Sequence, residues 1–140
     1  LDQTKGWIMQ DFGGAKLILF IGKQIVVLRR DQKPDIPWPG RLDLPGGGRE
    51  GLETPETCVL RETYEEIGLS LTVGDLVWRQ QFKRGVFFAA HLPAGAEAGI
   101  VFGLEGQGWL LMDPPQYVGH PEAIPHFADL VQCYLDQVLG

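Results

Sequence analysis

Residues 44–69, LPGGGREGLETPETCVLRETYEEIGL, decide how this chain is read. They open with Leu44-Pro45-Gly46-Gly47-Gly48, a backbone too flexible for the interior of a helix or strand. Thr54 and Pro55 then make a helix start, with Thr54 as cap and Pro55 at the first helical position. The pattern predicts one helix from there to Ile67, ended by Gly68. Val59, Leu60, Thr63 and Ile67 form the mostly apolar stripe that such a helix lays on a core. Beside the stripe, Glu62, Glu65 and Glu66 project within an arc of roughly 100°.

Three carboxylates on one face are either a solvated acidic surface or a metal site. Alone they repel, which disfavours ionising all three and weakens the helix. A divalent cation reverses that sign, and carboxylate oxygens are hard ligands suited to Mg²⁺ or Mn²⁺. The register decides between the two readings. Gly47 is followed by five residues, Glu53, seven residues, and then Arg61-Glu62-Thr63-Tyr64-Glu65-Glu66-Ile67-Gly68-Leu69. This run resembles the Nudix box, G-x5-E-x7-R-E-U-x-E-E-x-G-U with U aliphatic, over residues 47–69. At about one in fifteen per residue type, its seven fixed identities recur by chance in roughly one window per 10⁸. Thr63, at the first U, is the one departure: β-branched but not aliphatic.

The resemblance implies an α+β fold, a Nudix-type α/β/α sandwich with a mixed central β-sheet. It implies a metal-dependent pyrophosphohydrolase that cleaves a nucleoside diphosphate linked to another moiety, with Mg²⁺ or Mn²⁺ as cofactor. It assigns Glu62, Glu65 and Glu66 to the metal, Glu65 or Glu105 to the catalytic base, and Gly47, Glu53 and Arg61 to supporting the loop. The partner is a small-molecule, nucleotide-type substrate. A non-catalytic Nudix-fold nucleotide-binding or regulatory domain is the alternative, although such domains need not keep carboxylates that are all present here. An isomerase of allylic diphosphates needs a further cysteine, and Cys58 within the box helix does not match its position.

At 140 residues, 44% hydrophobic and 21% charged, the composition is that of one ordinary globular domain spanning residues 1–140. The net charge of −6 argues against binding a nucleic-acid duplex through a basic face. Six acids, Glu50, Glu53, Glu56, Glu62, Glu65 and Glu66, lie in or near the box, so an anionic substrate needs cations to approach it. No apolar run reaches membrane-spanning length and the first residues lack a signal-peptide pattern, although the chain opens at Leu1 without a methionine. A cytoplasmic protein with no membrane partner is expected; the oligomeric state is open, a homodimer included. Cys58 and Cys133 lack metal-type spacing and read as buried thiols of a reducing compartment.

Elsewhere, residues 15–21 and 24–30 are aliphatic runs parted by Gly22-Lys23, the pattern of a hairpin covered on both faces. Trp7, Ile8, Met9 and Phe12 suggest a short strand or an edge cover. Arg29 and Arg30 either mark the end of the second strand or, as the resemblance implies, supply a phosphate contact, and strand alternation aims only one of them at the site. Residues 31–40 form a loop stiffened by Pro37 and Pro39 around Trp38, which either covers the core or stacks on a base or sugar. Residues 41–44, 71–82, 86–92 and the apolar end of 104–112 read as strands, with Gly74-Asp75 as a turn or bulge. His91 at a strand end has a structural or solvent-facing role. Residues 93–103 are small-residue rich and read as a mobile loop, with Glu105 after it the fourth carboxylate and Glu97 the alternative. Asp113-Pro114-Pro115 stops the last strand, and residues 122–139 give a C-terminal helix with Pro125 in its first turn. The substrate codes of the enzymes it resembles are absent: about sixteen residues past the box, where some of them carry a proline or a tyrosine, stand Gly85, Val86 and Phe87, and the chain has no asparagine of the kind that MutT-type members use to read an oxidised guanine.

Overall fold

The computed structural model of the protein describes residues 11–139. Gly14–Ile21 (β1) and Gln24–Arg29 (β2) form the expected hairpin, paired only beside the turn at Phe20↔Ile25 and Ile21↔Gln24. Beyond that point the two strands diverge. Leu42–Asp43 (β3) and Gly46–Gly48 (β4) enter the opening, β3 pairing with the end of β2 and β4 with the start of β1. Leu28 pairs with both Asp43 and Trp109, so Gly108–Met112 (β7) must lie on the opposite edge of β2. Gly85–Leu92 (β6) runs parallel to β1 along its whole length, and Trp78–Phe82 (β5) pairs antiparallel with β6. The sheet is mixed, and the split hairpin delivers the glycine loop into its middle.

Alternation along β1 and β2 supplies both faces of this sheet. Leu17, Leu19, Val26 and Leu28 are buried with Cys58, Val59 and Ile67 of the helix Pro55–Ile67 (α1). Ile18, Phe20, Ile25 and Val27 are buried on the other face with Tyr117 of Pro114–Val118 (α2) and Phe127, Leu130, Val131 and Tyr134 of Pro125–Tyr134 (α3). Helices on both sides of a mixed sheet make the α/β/α sandwich. α1 has the ends its sequence predicts: Thr54 Oγ1 accepts the Thr57 backbone N–H at 3.1 Å, and Gly68, at φ +72°, donates its N–H to the Tyr64 carbonyl.

Several expectations need correcting. Gly46–Gly48 is a strand, because three residues without side chains let β4 approach β1 where bulk would forbid it. Pro114 and Pro115 do stop β7, but they also open α2, since proline suits a helix's first turn. The C-terminal helix is accordingly shorter than residues 122–139: α3 begins at Pro125 and gives way to a π-helical turn, Leu135–Leu139. Residues 71–77 hold a 3₁₀ turn, Val73–Asp75, whose Asp75 carboxylate accepts the Thr72 N–H at 2.7 Å, so only β5 is a strand there. Leu60 is only partly buried on α1, while Pro55 and Cys58 complete its buried face. Phe12 is buried in the core, whereas Trp7, Ile8 and Met9 lie outside the described residues. Both cysteines are free thiols, Cys133 half-buried rather than buried. Among the described residues no helix is long and apolar enough to cross a membrane.

Candidate active site around the glycine loop

The glycine loop is held from two sides. A Cβ at Gly47 would stand 2.5 Å from Oε1 of Glu62, and one at Gly46 would collide with the Ala15 carbonyl. Only glycine lets the strand fit between β1 and the carboxylate face of α1. From the α1 side, Arg61 binds Glu53 with both arms of its guanidinium, Nε to Oε2 at 2.6 Å and Nη2 to Oε1 at 3.0 Å. The same Nη2 donates to the Gly48 carbonyl at 2.9 Å, and Nη1 reaches Glu62 at 2.9 Å and Glu65 at 3.2 Å. The Arg61 hydrogen bonds hold the Glu53 carboxyl below the usual carboxylate range, and those carboxylates raise the Arg61 guanidinium further above its own. Planar, bidentate pairing of this kind fixes geometry as well as charge.

From the sheet side, Lys16 donates to the Leu44 and Gly46 carbonyls at 3.2 and 3.0 Å and pairs with Asp43 at 3.0 Å. Asp43 is buried; it also accepts from Arg30 at 2.9 Å and from the Leu44 N–H at 2.7 Å. Glu66 joins the two sides by accepting the Gly46 N–H at 2.7 Å. Burial pushes its pKa up to about 7; Lys16 and the Gly46 N–H act against that rise, Asp43 and Glu62 with it.

Glu62, Glu65 and Glu66 line one cavity of about 370 Å³ together with Leu104 and Glu105. The position of Glu105 follows from backbone contacts. Val101 and Gly103 donate their N–H groups to the Ile67 and Glu66 carbonyls, each at 2.8 Å, so the loop before Glu105 satisfies the open C-terminal end of α1. The loop expected to be mobile is therefore hydrogen-bonded, and its first half contains the 3₁₀ turn Ala96–Gly99. Glu97 accepts the Gly95 N–H within that turn and is not part of the cavity wall.

The donor set around this cavity fits a hard divalent cation: carboxylate oxygens, those of Glu62 and Glu66 half-buried, beside a backbone that approaches them closely. As placed, no three acidic, histidine or cysteine side chains among the described residues converge on one point. Arg61 engages Glu62 and Glu65, and Gly46 engages Glu66. Taking up an ion therefore requires carboxylates to exchange these partners for it.

A second cavity, about 170 Å³, adjoins Glu66 and Glu105 and is lined also by Arg29, Arg30, Lys33 and Asp43. Both arginines reach it, contrary to the alternation expectation, because β2 ends at Arg29 and Arg30 no longer follows its pleat. Arg29 is further tied to the Gly40 carbonyl at 2.8 Å and to Glu122 at 3.1 Å. A third cavity, about 370 Å³ and largely apolar, lies on the other side of Gly47 and Gly48, with Phe82, Phe87, His126 and Phe127 in its wall. Trp38 stands outside this wall, 40% exposed, its ring 6.0 Å from that of His126. His91 lines none of these cavities; it stacks on Phe20 and bonds the Tyr134 hydroxyl at 2.6 Å.

Lys16, Asp43 and His126 escaped the sequence reading. A lone lysine in the apolar run AKLILFI was the available signal, since a charge in a strand covered on both faces must have a partner. Asp43 and His126 left no such trace, as each depends on contacts across the sheet.

This arrangement of loop, carboxylate helix and sandwich defines a class, and the chain belongs to it: residues 13–117 match the NUDIX domain family. A MutT protein from Methanosarcina mazei shares the fold with a TM-score of 0.66 at 21% identity, covering 86% of this chain and 90% of that one. An Ap4A hydrolase from C. elegans superposes equally well, TM-score 0.66 at 16% identity over 88% of this chain and 94% of its own. In sequence, an RNA pyrophosphohydrolase from Acidiphilium cryptum is 46% identical over 55 residues, which are 39% of this chain and 32% of that protein. The chain thus matches about a third of that relative's length.

Proposed function

We propose that this protein is a divalent-metal-dependent hydrolase that cleaves a pyrophosphate bond in a nucleoside diphosphate linked to another moiety. The observation that carries the reading is the meeting of Glu62, Glu65, Glu66 and Glu105, from two distant segments, on one cavity beside the braced glycine loop. Mg²⁺ or Mn²⁺ held by Glu62, Glu65 and Glu66 would neutralise phosphate oxygens and acidify a bound water. Glu65 or Glu105, both solvent-facing, takes the proton as water oxygen bonds to phosphorus and the bridging oxygen leaves with its electron pair. Arg29, Arg30 and Lys33 meet phosphate in the adjoining cavity. The nucleoside enters the apolar cavity beyond Gly47, where Phe82, Phe87 and Phe127 offer ring surface. Glu53 and Arg61 keep the loop seated while Glu62 and Glu65 change partners.

The names of the relatives set the trial substrates: nucleoside triphosphates, dinucleoside polyphosphates and 5′-triphosphorylated RNA, together with nucleotide sugars and dinucleotides. Each is incubated with Mg²⁺ and with Mn²⁺, and released phosphate or pyrophosphate is measured. Metal-dependent turnover of at least one is expected. Bound metal with no turnover on any would replace this reading by that of a nucleotide-binding domain.

A further inference from the structure

Among the described residues only two that are not glycine have positive φ, Trp38 at +52° and Lys83 at +53°. They come from separate loops that meet at His126, Trp38 by its own ring and Lys83 through its neighbour Phe82. Trp38 lies 6.0 Å from His126, and Phe82, the residue before Lys83, stacks against it at 6.0 Å and 28°. Each of the two outer rings carries a cation: Arg41 sits 5.9 Å from the Trp38 ring and the Lys83 ammonium 5.6 Å from that of Phe82. Trp38 and Phe82 are 40% and 39% exposed, unusual for rings that could have been buried. Strained backbone persists where surroundings enforce it, and here it holds aromatic and cationic groups towards solvent at two places on one surface.

The charge around this row differs from that of the chain as a whole. The charged groups acting on His126 are Lys83, Asp129, Asp43 and Lys16. Asp43 is already paired with both Lys16 and Arg30, which leaves Asp129 as the remaining acid among these groups. A row of rings, exposed at Phe82 and Trp38 and half-buried at His126, edged by cations and running from the apolar cavity to Trp38, matches flat bases joined by phosphodiesters. We infer that Trp38, His126 and Phe82 form a stacking platform for successive bases of a single-stranded oligonucleotide, whose terminal nucleoside occupies the cavity. The platform deepens the proposed function by making the moiety linked to the terminal nucleotide a nucleic-acid strand. It does not conflict with the acidic net charge, because a single strand is gripped through base faces at a local site. A duplex hides those faces.

Binding of fluorescein-labelled pentauridylate with a 5′-hydroxyl is followed by anisotropy in EDTA, with unlabelled UMP as competitor. No hydrolysis takes place under these conditions, so failure of the hydrolysis assay and failure of the platform are separate results. The pentamer is expected to bind at least about tenfold more tightly than UMP, with affinity falling as salt rises. Trp38→Ala removes most of that advantage and Trp38→Phe retains it. Lys83→Gly accepts the positive φ without strain, so it should weaken the pentamer about threefold while the melting temperature holds or rises. A lysine kept there for the turn alone would leave binding unmoved. Pentamer and UMP of equal affinity in the natural protein overturn the platform. So does an undiminished pentamer advantage in Trp38→Ala, or, if that variant does not fold, in Lys83→Gly and Arg41→Gln.

Discussion

Two cations clasp the same glycine loop, and they do so differently. Arg61, on the α1 side, takes the Gly48 carbonyl and shares one guanidinium among Glu53, Glu62 and Glu65. Lys16, on the sheet side, takes the Leu44 and Gly46 carbonyls and the buried Asp43. Glu62 and Glu65 can leave Arg61 for another cation and still be satisfied, since the Glu53 pair and the Gly48 carbonyl keep the guanidinium seated. Asp43 has no comparable freedom; it is 3% exposed and is held by Lys16, Arg30 and the Leu44 N–H together. The loop therefore has one exchangeable clasp on the carboxylate helix and one permanent, more deeply buried clasp on the sheet side. Changes at the first should reach activity, and changes at the second should reach stability.

The largest effect tests the exchangeable side. Glu65→Gln and Glu66→Gln keep the shape of the cavity wall but remove a charge that the proposed cation needs. A rate loss on the order of 10²–10⁴ is expected for each on the best substrate of the panel, with an unchanged far-ultraviolet circular dichroism spectrum. A variant turning over at near-normal rate would remove these carboxylates from the site. The permanent side comes next. Lys16→Met strips Asp43 of one of its two cations and leaves two loop carbonyls short of a donor, an expected loss of about 3 kcal/mol in urea unfolding. Arg61→Lys keeps the charge but loses the fork, so its stability loss should stay near 1 kcal/mol while its rate falls further than that of Lys16→Met. The opposite ranking would abolish the distinction between the two clasps.

That asymmetry also governs what could be read in advance. The Arg61 side was legible because a helix puts residues three and four apart on one face, and because Glu53 and Gly47 sit at fixed spacing from it in one short segment. Both layers of the sandwich were legible too, from uninterrupted apolarity in β1 and β2. What stayed hidden needs partners far apart in sequence: Lys16 with Asp43, Trp38 with His126, and the Val101 and Gly103 amides on the end of α1. The strand character of Gly46–Gly48 was hidden for a different reason, as propensity disfavours glycine in strands while the splayed hairpin leaves room for nothing larger.

Glu66 stands where the two clasps meet, and its burial gives a smaller, pH-dependent effect. Its carboxyl titrates near 7 in the fold, against 4.5 when free. Between those values the native state holds a proton that the unfolded chain has released, so stability is fully present below about pH 4.5 and is lost as pH rises through about 7. The displacement corresponds to at most about 3 kcal/mol, and the shift of Glu53 in the opposite direction offsets part of it at acid pH. The comparison to make is urea unfolding in EDTA at pH 5 and pH 8, natural protein against Glu66→Gln. The variant should lose less stability over that range. An equal loss in both would place the titrating group elsewhere.

The smallest effect separates packing from chemistry on α1 itself. Thr63 occupies the one box position that departs from the aliphatic pattern, and it is fully buried, with no hydrogen-bond partner for its hydroxyl. A buried hydroxyl left unpaired costs about 1–3 kcal/mol, while valine has nearly the same shape and no such group. Thr63→Val should therefore raise stability by about 1 kcal/mol, read as a higher urea midpoint with unchanged slope. Its side chain is buried beside Glu66, three residues on, but is not part of the cavity wall that the glutamates form. Its kcat and KM should stay within about twofold of those of the natural protein. A stability gain without a rate change means that this departure from the pattern weakens the scaffold alone. If the rate fell as well, the buried hydroxyl would have to be holding α1 in the register that the glutamates use, and the division between core and cavity sides of this helix would fail at its centre.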